Sequence, residues 1–255
     1  MQPRYSLTFL GVGAGLCPEL GNNNVLIEST DRQANLLIDC GPVTAIDLKM
    51  AEKLADVQHA FVTHVHDDHV GGIQLWAQMN RYVFRQRPVL AYREELHDEL
   101  WEGTLRGGLA RVNSLDGTPA MVDLGAYFAV NVMKGPDALA IAGLPTLTPR
   151  AGLHVPGKPS FGFFLDDDVF YSSDSQELPP AVGPTGKPLR AIFQDCQLFE
   201  TAYAVHTPLQ LLAKELPAAQ RAITHLMHYN LPPDDAEARE LGFVGFVHRN
   251  EPIWL

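Results

Sequence analysis

The stretch Thr63-His64-Val65-His66-Asp67-Asp68-His69-Val70-Gly71-Gly72 (THVHDDHVGG) puts three histidines and two aspartates into six residues. It follows the apolar run Phe61-Val62, which reads as the end of a buried strand over residues 60–63. In extended chain, residues two apart point the same way, so His64 and His66 can reach one ion together. Asp68 and His69 follow after a bend and point to a neighbouring position. Imidazole nitrogens with a carboxylate oxygen form a Zn²⁺ ligand set, and the same set suits Mn²⁺ or Fe. Gly71 and Gly72 let the backbone turn sharply into a following helix. A histidine-rich surface loop is the plain alternative, but H-x-H-x-D-H behind an apolar strand is a demanding pattern. These four side chains fill at most half of a two-metal site, so further ligands must come from elsewhere.

The rest of the chain alternates apolar, β-branched runs with helical spacing. Strands are expected over residues 5–10, 24–28 and 35–38, with a turn at 29–32. More are expected within 121–133 and over 161–165, 169–172, 191–194 and 222–227. A closing hairpin is expected from 243–247 and 252–255. Helices are expected over 44–54, 72–83, 93–111 and 208–216, where Pro208 suits a first turn. Strands paired in hairpins and strands joined through helices occur together. The expected class is α+β: two packed mixed β-sheets with helices on the outer faces, as one domain over residues 1–255.

Composition sets outer bounds. The chain has 255 residues, 46% hydrophobic and 19% charged, enough for a sizeable core. No apolar run reaches the length of a membrane span, and the opening MQPRYSLTFLGVG reads as a strand rather than a signal peptide. Three scattered cysteines, Cys17, Cys40 and Cys196, do not form a disulfide framework, and a reducing, cytoplasmic setting is expected. A net charge of −11 disfavours a large nucleic-acid ligand but not a small anion beside a metal centre.

THVHDDH resembles the signature of the metallo-β-lactamase fold superfamily, and the resemblance extends over nearly the whole chain. It implies a four-layer αβ/βα sandwich and a fixed order of further motifs. Asp39, in LLIDCG, resembles the aspartate that braces the histidine loop without binding metal. His154, in LHVPGKPSFGFFL, resembles the lone third-motif histidine. Asp174, in YSSDS, resembles the carboxylate that bridges two ions. The last ligand is His228 or His225, both in AITHLMHYN; His228 lies at the strand end, where ligands of this fold gather. The implied set is His64, His66 and His154 around one divalent ion, Asp68, His69 and His228 around a second, and Asp174 to both.

Three features resemble the ribonuclease Z and small phosphodiesterase branch. His206, in AVHTPLQLLAKELP, resembles a histidine that opens a helix there, 22 residues before His228. Asp195, in QDC, resembles the acidic residue that keeps such a histidine protonated; Glu200 could take its place. The opening LGVGAGLCPELGNNNVLIEST followed by LLIDCG is similar to that branch's N-terminal pattern. The resemblance implies hydrolysis of a phosphodiester by metal-activated water, with Asp68 orienting the water or taking its proton and His206 donating a proton. Only 20 residues separate His154 from Asp174, which leaves no room for a tRNA-gripping arm, so a small or cyclic phosphodiester is expected. Lys158 either approaches a substrate phosphate or is a simple turn lysine. The run Asp166-Asp167-Asp168 reads as a water-facing turn, and Cys40 and Cys196 as small, partly buried filler. A thioesterase or lactonase of the same fold, and a metal-binding partner protein without activity, are the rival readings; a homodimer is compatible with all of them.

Overall fold

The computed structural model describes residues 3–113, 116–199 and 204–255. Its strands are β1 (Tyr5–Phe9), β2 (Val25–Ser29), β3 (Asn35–Ile38), β4 (His59–Val62), β5 (Val89–Arg93), β6 (Arg111–Asn113), β7 (Pro119–Met121), β8 (Ala129–Met133), β9 (Leu147–Gly152), β10 (Ser160–Leu165), β11 (Val169–Tyr171), β12 (Ala191–Asp195), β13 (Thr224–Met227), β14 (Gly245–Phe246) and β15 (Pro252–Trp254). One sheet has the order β15-β1-β2-β3-β4-β5-β8, the other β14-β13-β12-β11-β10-β9. Each is antiparallel on one side and parallel on the other: β1 to β3 and β9 to β11 pair as hairpins, while β3-β4-β5-β8 and β11-β12-β13-β14 run parallel.

Side-chain alternation sorts residues into layers. In β4, Phe61 faces the second sheet and meets Phe163 edge to face, with ring centroids 6.1 Å apart. Its neighbours Ala60 and Val62 face outward and pack with Ile73, Trp76, Leu100 and Leu105 of the helices. Between the sheets lie Leu7, Phe9, Ile27, Ile38, Tyr171, Phe193 and Leu226. On the far face of the second sheet, Phe164, Phe170, Leu189 and Ile192 form a smaller cluster. This is the expected α+β sandwich of two mixed sheets with outer helices.

Several boundaries differ from the sequence expectation. The first helix, α1, runs Pro42–Met50, and residues 54–56 form a separate helical turn. Residues 93–111 are not one helix: Arg93 ends strand β5, which lies outside the expected strands, and helical turns occupy 94–109. Strand β9 also lies outside the expected strands; it contains Pro149 and is an edge strand, where a missing N–H is tolerated. The closing hairpin does not form. β14 pairs with β13 in the second sheet and β15 with β1 in the first, so the last strands tie the two sheets together. Among the described residues no helix is long and apolar enough to cross a membrane.

Candidate metal centre

The carboxyl ends of the parallel strands gather the polar side chains. β4 delivers Thr63 and His64; a loop through His66 leads into the one-turn helix α2 (Asp67–Val70), which carries Asp68 and His69. Asp39 follows β3 with a left-handed φ of 61° and turns its carboxylate beneath this loop. The Thr63 N–H donates to Asp39 Oδ1 at 2.8 Å and the Thr63 hydroxyl to Oδ2 at 2.6 Å. His69 Nδ1 lies 2.7 Å from the same Oδ2. Asp39 thus fixes the His69 ring so that Nε2 faces inward. Ser173 Oγ donates to Thr63 Oγ1 at 2.9 Å and links this brace to the turn after β11.

The first donor set is His64 Nε2, His66 Nδ1 and His154 Nε2. His66 Nδ1 stands 3.1 Å from His64 Nε2 and 3.2 Å from His154 Nε2. Asp174 Oδ2 is 3.6 Å from both His64 Nε2 and His154 Nε2. His154 Nδ1 lies 2.8 Å from the Val205 carbonyl, which makes Nδ1 the N–H and leaves Nε2 a lone pair for the cluster. The second set is Asp68 Oδ2, His69 Nε2, His228 Nε2 and Asp174 Oδ1. His69 Nε2 is 3.2 Å from Asp68 Oδ2 and 3.4 Å from Asp174 Oδ1. His228 Nε2 is 3.6 Å from Asp68 Oδ2 and 3.5 Å from Asp174 Oδ1.

These spacings fit a metal. Donors held by one tetrahedral ion at bond lengths of about 2.0–2.2 Å stand about 3.3–3.6 Å apart. His69 Nε2, His228 Nε2 and Asp174 Oδ1 are buried and have no hydrogen-bond partner. Such an atom costs about 1–3 kcal/mol if left unsatisfied, and here three of them face one point.

The electrostatics agree. Burial, the neighbouring His69 and the other rings hold His64 well below the usual histidine range. Burial, His154 and Lys158 hold His66 down at about 4. The first set therefore offers neutral nitrogens. Burial works against charge on His69 too, but Asp68, Asp174 and Asp39 pull that ring well above the usual range. His228 behaves likewise: burial opposes its charge, while Asp174 and Asp195 raise its pKa. The carboxylates around the second set favour positive charge, and a dication bound there would displace the protons from the two rings.

His206 stands beside both sets. Its ring centroid is 5.0 Å from that of His154 and 4.8 Å from that of His228. Its Nδ1 is 2.7 Å from Asp195 Oδ2, and Asp195 Oδ1 is 3.2 Å from His228 Nδ1. Asp195, fully buried at the end of β12, also accepts the Ser175 N–H at 2.8 Å. Burial opposes the charge on His206, but Asp195 raises its pKa.

The structure thus brings together His64, His66, Asp68, His69, His154, Asp174, His228, His206 and Asp195. His225 is not among them: it stacks on Phe193 with centroids 4.9 Å apart, and burial depresses its pKa to about 4. Glu200 lies outside the described residues. Lys158 forms an ion pair with Glu99 at 2.6 Å. Asp166 pairs with Arg4, and Asp168 with Lys187 and Arg190. Cys40 and Cys196 are buried, and burial with the charge of Asp39 pushes the Cys40 thiol up to about 12.

Sequence reasoning missed the supports. Asn24 is fully buried; it donates to the Asp68 carbonyl at 3.2 Å and accepts the Gly41 N–H at 2.6 Å. Asn22 accepts the Val43 N–H at 2.9 Å and Asn23 donates to Tyr171 Oη at 3.2 Å. Three consecutive asparagines ahead of an apolar strand were the available signal. Gly15 was also missed: a Cβ there would stand 3.0 Å from the Asp68 carboxyl carbon, so any larger residue would press on that carboxylate. A cavity of about 760 Å³ lined by Thr8, Leu26, Glu28, Lys53 and Trp254 lies elsewhere and contains none of these donors.

Comparison with known proteins gives the family. The model described as "Anti-Pycsar protein Apyc1" matches residues 5–253. The Anti-Pycsar protein Apyc1 of Paenibacillus sp. (strain J14) is 32% identical over 254 residues, covering 98% of this chain and 98% of that protein. Among solved structures, a diphosphatase from the PhnP family superposes with a TM-score of 0.69 at 17% identity, over 98% of this chain and 97% of its own. The metallo-β-lactamase fold protein YhfI from Bacillus subtilis superposes with a TM-score of 0.65 at 14% identity, over 100% of both chains. The chain belongs to the Anti-Pycsar protein Apyc1 family and has the metallo-β-lactamase fold.

Proposed function

We propose that the chain hydrolyses a small or cyclic phosphodiester, such as a cyclic nucleotide, with two divalent metal ions, of which Zn²⁺ suits the ligands best. One observation carries this reading: the two oxygens of Asp174 face two separate donor sets, with His206 on the same rim. In it His64, His66 and His154 hold one ion, Asp68, His69 and His228 the other, and Asp174 serves both. Bound there, such ions would supply a water of lowered pKa and would offset charge developing on the phosphoryl oxygens.

The chain's own residues have distinct tasks. Asp174 needs to be a carboxylate because one side chain must neutralise two dications. Asp68, with Oδ2 between His69 and His228, orients the attacking water and accepts its proton. His206 keeps its Nδ1–H on Asp195, so Nε2 is the atom that donates to a phosphoryl oxygen or to the leaving group. His69, locked by Asp39, and His154, locked by the Val205 carbonyl, cannot turn away from the cluster. A net charge of −11 repels long polyanions, which favours a small substrate.

The test is elemental analysis of the purified protein, then assay of cyclic and linear nucleotide diesters and bis-p-nitrophenyl phosphate beside S-lactoylglutathione. Diester turnover that a chelator abolishes is expected. Turnover of the thioester alone, or of neither with both metals bound, would overturn the reading.

A further inference from the structure

We propose that Lys158, poised by Glu99 at the rim of the His64–His66–His154 set, binds an anionic oxygen of the phosphodiester substrate; this rests on the diesterase reading. The backbone places it there. The segment leaves the cluster at His154 and returns at Ser160, which bridges antiparallel to His64. The Phe161 N–H then donates to the Thr63 carbonyl at 3.0 Å. Lys158 is two residues from Ser160, so its Cα lies within about 7 Å of that anchored position. Between the anchors the chain makes a tight turn: the Lys158 N–H donates to the Val155 carbonyl at 3.0 Å, and Gly157 takes a φ of 80°. Pro156 is the second residue of this turn and Pro159 follows it, and both reduce the entropy lost in holding it.

The partner of Lys158 comes from a different element. Glu99 belongs to the helical segment Asp98–Leu105, anchored by buried Leu100 and Leu105. Its Oε2 is 2.6 Å from Lys158 Nζ, with the side chains 21% and 39% exposed for Lys158 and Glu99 respectively. A pair this accessible is worth only about 0–1 kcal/mol, so a phosphoryl oxygen can replace Glu99 at little cost. Among the described residues the ion pairs of Asp39, Asp68, Asp174 and Asp195 are all with histidines, and no lysine or arginine takes part. Lys158 is therefore a cation beside the cluster that the cluster's own carboxylates do not consume. Its compact ammonium suits a phosphate oxygen as a point charge. Glu99 holds the ammonium in place before substrate arrives.

The experiment uses the metal-loaded full chain and compares wild type with Lys158→Ala, Lys158→Arg and Glu99→Gln. It reads KM and kcat for bis-p-nitrophenyl phosphate, the calorimetric Kd of inorganic phosphate, and metal content. Lys158→Ala should raise KM and the phosphate Kd about tenfold, with kcat within about threefold of wild type and metal retained. Lys158→Arg should recover most of both. Glu99→Gln frees the ammonium and should lower KM and the phosphate Kd about two- to fivefold. KM and Kd unchanged in Lys158→Ala, or a loss of metal or kcat without a change in KM, would make Lys158 structural and overturn the proposal. Should Lys158→Ala fail to fold, Glu99→Gln carries the same test, and an unaltered KM and Kd there would overturn it. Phosphate binding needs no turnover, so a chain inactive on diesters that still loses phosphate affinity in Lys158→Ala would reject the diesterase reading while keeping the anion subsite.

Discussion

His206 Nδ1 lies 2.7 Å from one oxygen of Asp195, and the other oxygen of that carboxylate faces His228 Nδ1 at 3.2 Å. One buried carboxylate therefore orients a candidate metal ligand and a candidate proton donor together. Removing the donor alone should leave the cage standing. His206→Ala is expected to cut kcat by about 10²–10⁴-fold with metal content unchanged, read by steady-state kinetics beside elemental analysis. Metal lost in step with activity would reassign His206 to a structural role.

Asp195→Asn should act more broadly than His206→Ala because it touches both rings. The amide retains the size of the carboxylate but loses the charge that raises His206. The expected result is a drop in kcat together with weaker metal binding through His228, by about 10–100-fold in affinity. A competition titration with a chromogenic chelator measures the second part separately from the first.

The site was legible in the sequence wherever ligand spacing is local. His64, His66, Asp68 and His69 are fixed by one strand end and one helical turn, so H-x-H-x-D-H carries their placement. Asp39, His154, Asp174 and Asp195 could be found only by matching motif order, because the chain brings them in from separate strands. His228 against His225 was an open choice at the sequence level. The structure separates them through backbone: β13 ends at Met227, His228 takes a left-handed φ of 60° and turns into the cluster, and His225 stays in register with Phe193. What remained hidden were partners with no pattern of their own. Gly15 and Asn24 act through close approach and backbone hydrogen bonds across 53 and 44 residues to Asp68, and no local period marks them. The apparent closing hairpin misled for a related reason: adjacent strands with a turn between them read as a pair, whereas β14 and β15 are claimed by different sheets.

The Asp39 brace should be separable from ligation itself. Asp39→Asn keeps the shape but weakens the bond that fixes the His69 ring, and should reduce metal affinity at the second set by about 10–100-fold. Asp39→Ala leaves Thr63 and His69 without their buried partner and should cost about 3–5 kcal/mol of stability in the metal-free protein. Urea unfolding of both variants after exhaustive chelation checks the order: asparagine below wild type, because one carboxylate oxygen becomes an NH2 that cannot accept, and alanine lower still.

Gly15→Ala tests whether the loop over Asp68 is shaped for that carboxylate. The added methyl would stand 3.0 Å from the carboxyl carbon and 3.1 Å from each oxygen, so the Asp68 carboxylate must shift by a few tenths of an ångström. Turnover should fall about tenfold or more while thermal unfolding moves little, because Gly15 lies outside the sheets. Full activity in this variant would show that Asp68 tolerates displacement and would weaken its assignment to the attacking water.

His225 supplies a pH dependence of its own, in addition to that of His64 and His66, whose pKa values burial also lowers. Its ring is stacked on Phe193, and burial lowers its pKa from 6.5 to about 4. A histidine whose pKa is lowered in the folded state is charged more readily in the unfolded chain. Between pH 6.5 and 4 the unfolded state therefore binds more protons, and stability falls as the medium is acidified through that window. Above about pH 6.5 the term is absent. The loss below pH 4 is at most about 3 kcal/mol, less the discount for the ring's partial exposure. His225→Phe keeps the stack and removes the titration, so its unfolding free energy should fall less steeply than wild type from pH 6.5 to 4 in chelator-treated protein. Parallel curves for the two proteins across that range would mean that His225 is protonated as easily in the folded chain as in the unfolded one.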